Sequence, residues 1–377
     1  MQRLAHLDGL RGLAALIVTL SHLESMVNSA ATGRYDNQTW LATVFSHVAN
    51  GAYGVMIFFV LSGYVLLTGY GRSGNAAFAF GAVKRYFRLM PPILAALLLA
   101  WALSLTIGFH HVDVAAMIGG HAWLASVSPD RLQLGEALYQ GLFGAFIGQH
   151  DYLGVLWTMK VEFFGSLMLF AVAAACYRFT WYWMATSAAI VLLVGLGGDI
   201  GIYLSLFFLG SIFFKHQLSL PVWAIPLGLM LGFAKPWDIA SLALSALLQW
   251  PNEGPTSAAF LLNAIGAAII LLAVARPSRV TLILASPPLE WLGRISFSLY
   301  LCHVPVMQSL GLATFLLANQ SVGGGPAAAL ALVVSMAMSL FVAEVMTRLA
   351  DIPAQRSANR IAAAILGGVQ RKAPSSA

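Results

Sequence analysis

Long apolar runs recur along this chain from Leu10 to Arg348, and that recurrence limits what it can fold into. A run of about 20 apolar residues crosses a bilayer as a helix, because only a helix satisfies its own backbone polar groups where there is no water. Hydrophobic residues make up 59% of the 377 and charged residues only 9%, whereas a soluble domain carries about 25% charged residues. The expected fold is therefore all-α, a polytopic transmembrane helical bundle with the lipid bilayer as its solvent. Ten spans are expected, at roughly 10–27, 51–70, 92–109, 152–176, 181–197, 200–214, 220–234, 257–275, 295–317 and 326–348. The seventh is interrupted by Lys235-Pro236-Trp237-Asp238, and the short run Ile239 to Trp250 behind it either re-enters or extends the span.

Charge orients these spans. If the N-terminus is cytoplasmic, all but four of the 20 Lys and Arg residues fall on the cytoplasmic side, the exceptions being Arg34, Arg131, Lys160 and Lys235. Basic residues concentrate in cytoplasmic loops, so both termini are placed inside. The net charge of +6 is thus assigned to topology first and to an anionic ligand second. No basic stripe with interleaved aromatics is present, which argues against a nucleic-acid partner. The apolar core Leu13 to Leu20 is short and runs at once into Ser21, His22 and Glu24, so the first span is read as retained rather than cleaved. Residues 1–352 form one membrane domain, and 353–377 a basic, partly disordered cytoplasmic tail. Cys176 and Cys302 lie within apolar runs and read as packing residues.

Ionisable residues inside apolar spans are costly and point to function. In the first span Asp8 and Arg11 are i, i+3 neighbours, and His22 follows eleven residues later. Eleven residues is close to three turns, which puts Arg11 and His22 on one face ~16 Å apart. His22 suits a proton acceptor or nucleophile, and equally a hydrogen bond between helices; Glu24 points elsewhere on the helix. Ser62-Gly63 in the second span lets a neighbouring helix come close. Arg85 and Arg88 share a helical face, an arrangement that suits phosphate or ordinary positive-inside charge, and Pro91-Pro92 then marks the start of the next helix. Trp157, Lys160 and Glu162 open the fourth span, and the two charges are expected to face the bundle interior. In the ninth, Ser296, Tyr300 and His303 form a polar stripe, lining a cavity or completing a hydrogen-bond network, with Pro305 kinking the helix. The loop 110–151 carries His110, His111, Asp113, His121, Asp130, Arg131, Glu136, His150 and Asp151, and is either solvated or holds a polar acceptor such as a sugar. No metal-ligand spacing such as H-E-x-x-H occurs, so no metal site is expected. Together these groups suit an acyl- or phosphoryl-transfer site within a bundle. A secondary transporter or lipid-sugar flippase would use the same charges, although no internal repeat is visible.

Five of these stretches, in order, resemble the membrane acyltransferase-3 family of bacterial inner-membrane O-acyltransferases. They are Leu7-Asp8-Gly9-Leu10-Arg11-Gly12 with His22, Phe58 to Tyr64, Arg85-x-x-Arg88 with Pro91-Pro92, Trp157 to Glu162, and Ile295 to Pro305. The resemblance implies transfer of an acyl group, usually acetyl, from cytoplasmic acyl-CoA to a hydroxyl of a glycan or lipid-linked sugar, with acyl-CoA as co-substrate and no permanently bound cofactor. It implies His22 as the catalytic histidine and Arg11, Arg85 and Arg88 as donor-binding groups; Glu162 or Glu24 is then expected as the carboxylate that orients the histidine or the acceptor. Asp8, Ser62, Trp157, Lys160, Ser296, Tyr300 and His303 are expected to line the cavity. Phe163-Phe164-Gly165 departs from the family's usual continuation after the glutamate, and Phe297 stands where tyrosine is common.

Overall fold

The computed structural model describes residues 4–32, 46–70, 75–117, 128–129, 132–248 and 255–372. His121, Asp130, Arg131, Arg34 and Arg72 lie outside these residues. The described elements are helical, with no strand among them. The helices are α1 (Ala5–Thr32), α2 (Gly51–Tyr70), α3 (Asn75–Thr106), α4 (His111–Met117), α5 (Leu134–Tyr139), α6 (Trp157–Cys176), α7 (Tyr182–Leu196), α8 (Gly198–Lys215), α9 (Ile225–Gly232), α10 (Ile239–Leu248), α11 (Pro255–Val274), α12 (Arg279–Leu284), α13 (Pro287–Val306), α14 (Leu312–Val322), α15 (Gly324–Met346) and α16 (Ile352–Lys372). Among the described residues seven helices are long and apolar enough to cross a membrane, and three shorter apolar ones accompany them. The chain is an all-α polytopic bundle.

α1 lies inside this bundle, packed on α2, α13 and α15. The crossing with α13 is close because both sides lack side chains. A Cβ on Gly12 would stand 2.6 Å from the Gly293 amide nitrogen, and one on Gly293 would collide with the Asp8 carbonyl. A second close crossing joins α2 and α8, where Gly63 faces the Phe207 carbonyl and Gly210 the Val60 carbonyl. The expectation that Ser62-Gly63 admits a neighbouring helix holds, and the neighbour is α8.

Three departures from the expected spans have physical causes. Pro91 and Pro92 do not start a helix: α3 runs through them without a break. The two prolines remove only the bonds to the Phe87 and Arg88 carbonyls, and the helical hydrogen bonds on either side carry the chain across. Arg85 and Arg88 therefore sit inside a 32-residue helix. The seventh span is two short helices, α9 and α10, separated by the turn at Lys235–Asp238. The carbonyls this break frees at the end of α9 are bonded by side chains. The Asn263 amide donates to Leu231, Gly232 and Ala234 at 3.0–3.1 Å, and the Asn50 amide to Gly232 at 3.1 Å. An apolar medium requires such partners wherever a helix is interrupted. The tail from Pro353, expected to be partly disordered, is helical as far as Lys372, as α16, and residues 373–377 lie outside the described residues. It follows α15 through a π turn at Thr347–Asp351 and packs an Ala354, Ala358 and Ala362 stripe inward, with α3 as its neighbour.

Candidate active site

The helical period decides which side chains meet. On α3 Arg85 lies about 60° from Arg88 and about 40° from Leu89 around the axis, and all three open on one cavity of about 120 Å3. Arg11 of α1 enters the same cavity, which is closed by Phe58, Phe59 and Ser62 of α2, Thr158, Met159 and Glu162 of α6, and Tyr300 of α13. Its three guanidiniums have different partners. Arg11 binds Asp8 at 2.9 Å. Arg85 pairs with Glu162 and donates Nε–H to the Ser166 hydroxyl at 3.2 Å, while the Ser62 hydroxyl donates to Glu162 at 3.0 Å. The Arg85 and Glu162 side chains are only 8% and 14% exposed, so neither charge leaves water without the other. Arg88 makes no hydrogen bond or ion pair among the described residues; the buried carboxylate of Asp351, which accepts from Gln355 at 3.0 Å, acts on Arg88 and Arg11 through its charge alone.

Tyr300 forms the cavity wall toward the other end of α1. Its hydroxyl lies 2.8 Å from the Thr158 hydroxyl and 2.9 Å from the Val155 carbonyl, tying α13 to the start of α6. One turn on, the His303 ring stands edge-on to Tyr300 with centroids 6.0 Å apart. His303 Nδ1 is 3.0 Å from the Leu299 carbonyl of its own helix, and Nε2 is 3.1 Å from His22 Nδ1. His22 Nδ1 is also 3.1 Å from the Val18 carbonyl, and the two imidazole centroids are 5.1 Å apart. The site is thus a charged cavity joined, through a tyrosine, to a pair of histidines.

The acyltransferase-3 family model, described as an acyltransferase domain, matches residues 4–344. The chain belongs to the acyltransferase-3 family. It is a membrane acyltransferase. Comparison with curated proteins and with solved structures returned no match.

The acyltransferase-3 stretches Leu7–Gly12, Phe58–Tyr64, Arg85–Arg88, Trp157–Glu162 and Ile295–Pro305 all contribute to this one region, and the expected site residues divide around it. Arg11, Arg85, Arg88, Ser62, Glu162 and Tyr300 line the cavity. His303 does not line it and is fully buried against His22. Neither expected carboxylate orients His22 here. Glu162 is engaged by Arg85 and Ser62, and Glu24 acts on Lys235 across the turn between α9 and α10. Asp8 is not among the cavity-lining residues and holds Arg11, which is.

Trp157 and Lys160 do not face the cavity, and the helix period explains why. Thr158, Met159 and Glu162 centre on one face of α6, and Trp157 and Lys160 each lie about 150° from it. The Trp157 ring packs on Tyr203 at 5.0 Å, and Lys160 is exposed beside Gly148. Ser296 turns its hydroxyl back to the Gly293 carbonyl at 2.8 Å. Among the described residues no group of three or more His, Cys, Asp or Glu is placed to hold a metal. Sequence reading missed Thr158, which anchors Tyr300, and Asp351. The signal for Asp351 was an acidic residue between Arg348 and Arg356, at the basic end of the last span.

Proposed function

We propose that this acyltransferase moves an acyl group, acetyl in the simplest case, from cytoplasmic acyl-CoA to a hydroxyl of a glycan or lipid-linked sugar at the inner membrane of a bacterium. The observation that carries this reading is the arginine cavity and the histidine pair joined through Tyr300 along α1 and α13. Acyl-CoA carries phosphates at one end and a thioester at the other. Arg88, with no direct ion-pair partner among the described residues, supplies the first guanidinium to a phosphate. Arg11 and Arg85 are held in place by Asp8 and Glu162 and add positive charge around it. The concentration of Lys and Arg on one side of the expected spans supports a cavity that opens toward the cytoplasm, where acyl-CoA is found.

His22 is the general base in this reading. Its imidazole takes the proton of the acceptor hydroxyl as the oxygen attacks the thioester carbonyl. The C–O ester bond forms, the C–S bond breaks, and the proton passes from His22 to the departing thiolate, leaving CoA as the free thiol. The secondary-transporter alternative has no support from the family match. The test is transfer of radioactive acetyl from acetyl-CoA to the polymer and lipid fractions of host membranes, with release of CoA thiol followed in parallel. His22→Ala at normal membrane levels is expected to lower both by about 10²–10⁴-fold. Transfer within threefold of the parent would remove His22 from the mechanism.

A further inference from the structure

We infer that His303 is a positioning residue: together with the Val18 carbonyl it holds the proton of His22 on Nδ1 and leaves Nε2 as the base. This rests on the reading of His22 as general base. The argument is one of donor and acceptor counting. The Leu299 carbonyl has no proton, so His303 Nδ1, 3.0 Å away, carries one. A neutral imidazole has a single N–H, so His303 Nε2 is then a bare acceptor. That acceptor lies 3.1 Å from His22 Nδ1, which also faces the Val18 carbonyl at 3.1 Å. A nitrogen between two acceptors carries the hydrogen. For two neutral rings this is the single assignment that satisfies every contact, and it leaves the lone pair of His22 on Nε2.

The same chain stabilises the protonated state. When His22 Nε2 takes the acceptor's proton, Nδ1–H still points at His303 Nε2, and that bond strengthens because its donor is now charged. No proton needs to pass to His303. A serine hydrolase gives this task to a carboxylate; here a neutral imidazole performs it, which suits a span where an added charge is costly. His303 is held for the task. It is 0% exposed, its own backbone fixes Nδ1, and its ring rests against Tyr300, itself tied to Thr158 and Val155.

The test compares three variants of the full-length protein in membranes, with acetyl-CoA as the varied substrate and melting in detergent as the check on folding. His303→Leu removes the acceptor and is expected to lower apparent kcat by about 10²-fold or more, with KM for acetyl-CoA within threefold of the parent. His303→Gln carries an amide oxygen near the former Nε2 and is expected to recover at least tenfold of that loss. His303→Asn keeps the bond to Leu299 but not the reach to His22, and is expected to resemble Leu. If the Leu variant does not fold, the comparison of Gln with Asn decides by itself. Equal kcat for Gln and Asn, a Leu variant within threefold of the parent, or a KM that rises as kcat falls would overturn the assignment. The outcome also separates the two readings. Near-normal transfer by His22→Ala ends the general-base reading, and this inference with it. A dead His22→Ala beside a normal His303→Leu ends this inference alone.

Discussion

At one end of the shared face of α1, Arg11 sits among charges; three turns along, His22 sits among neutral groups. The arginine end holds its guanidiniums with carboxylates, Asp8 on Arg11 and Glu162 on Arg85. Among the described residues the histidine end has no carboxylate on either ring, and uses backbone carbonyls and a second imidazole instead. The difference fits the tasks proposed for the two ends. A cavity for an anion keeps its cations ionised, and paired carboxylates do that while the site is empty. A base must stay uncharged between turnovers, and an adjacent carboxylate would favour its protonated form.

After loss of His22 and His303, the largest effect expected is at Arg85. Arg85→Met leaves Glu162 nearly buried without its cation, which typically costs about 3–5 kcal/mol. Melting in detergent should fall steeply. The double variant Arg85→Met with Glu162→Leu removes both charges, and replacement of a buried pair by apolar groups is often neutral. It is expected to recover the melting temperature but not acetyl transfer. Recovery of both would mean that the pair serves folding alone, and the contrast between the two ends of α1 would lose its basis.

Arg88 sharpens the contrast further. It is not in an ion pair among the described residues, so its removal should leave stability within about 1 kcal/mol. A charged hydrogen bond to a donor phosphate contributes about 1.5–3 kcal/mol. Arg88→Ala is therefore expected to raise KM for acetyl-CoA by about 10–100-fold with little change in kcat. Unchanged KM would remove Arg88 from the donor site.

The helices, the arginine pair and the first histidine are legible in the sequence because each depends on residues close in the chain. Spacing of three or four puts Arg85 beside Arg88, and eleven puts Arg11 under His22. What stays hidden joins distant residues. Nothing in the spacing says that His303 meets His22, or that Asn50 and Asn263 both bond the open end of α9. The polar stripe Ser296, Tyr300 and His303 is visible as a pattern, but its three members do three different things. Pro91 and Pro92 mislead for a related reason. The penalty for proline inside a helix is local, while the packing that outweighs it is tertiary.

Lys160 gives the smallest expected effect and the clearest test of how far a motif can be read by position alone. It stands between Met159 and Glu162, and a charge in an apolar run argues for an interior role. The helix period overrides that argument. The face centred on Thr158, Met159 and Glu162 points about 150° away from Lys160, whose stem lies exposed along Gly148, near the π turn Gln140–Gly144 that follows α5. Lys160→Ala removes an exposed charge with no partner in the cavity, so acetyl transfer should stay within twofold and stability within about 0.5 kcal/mol. A loss approaching that of Arg88→Ala would mean that Lys160 turns inward when donor binds, and that the face of α6 seen here is one of two it adopts.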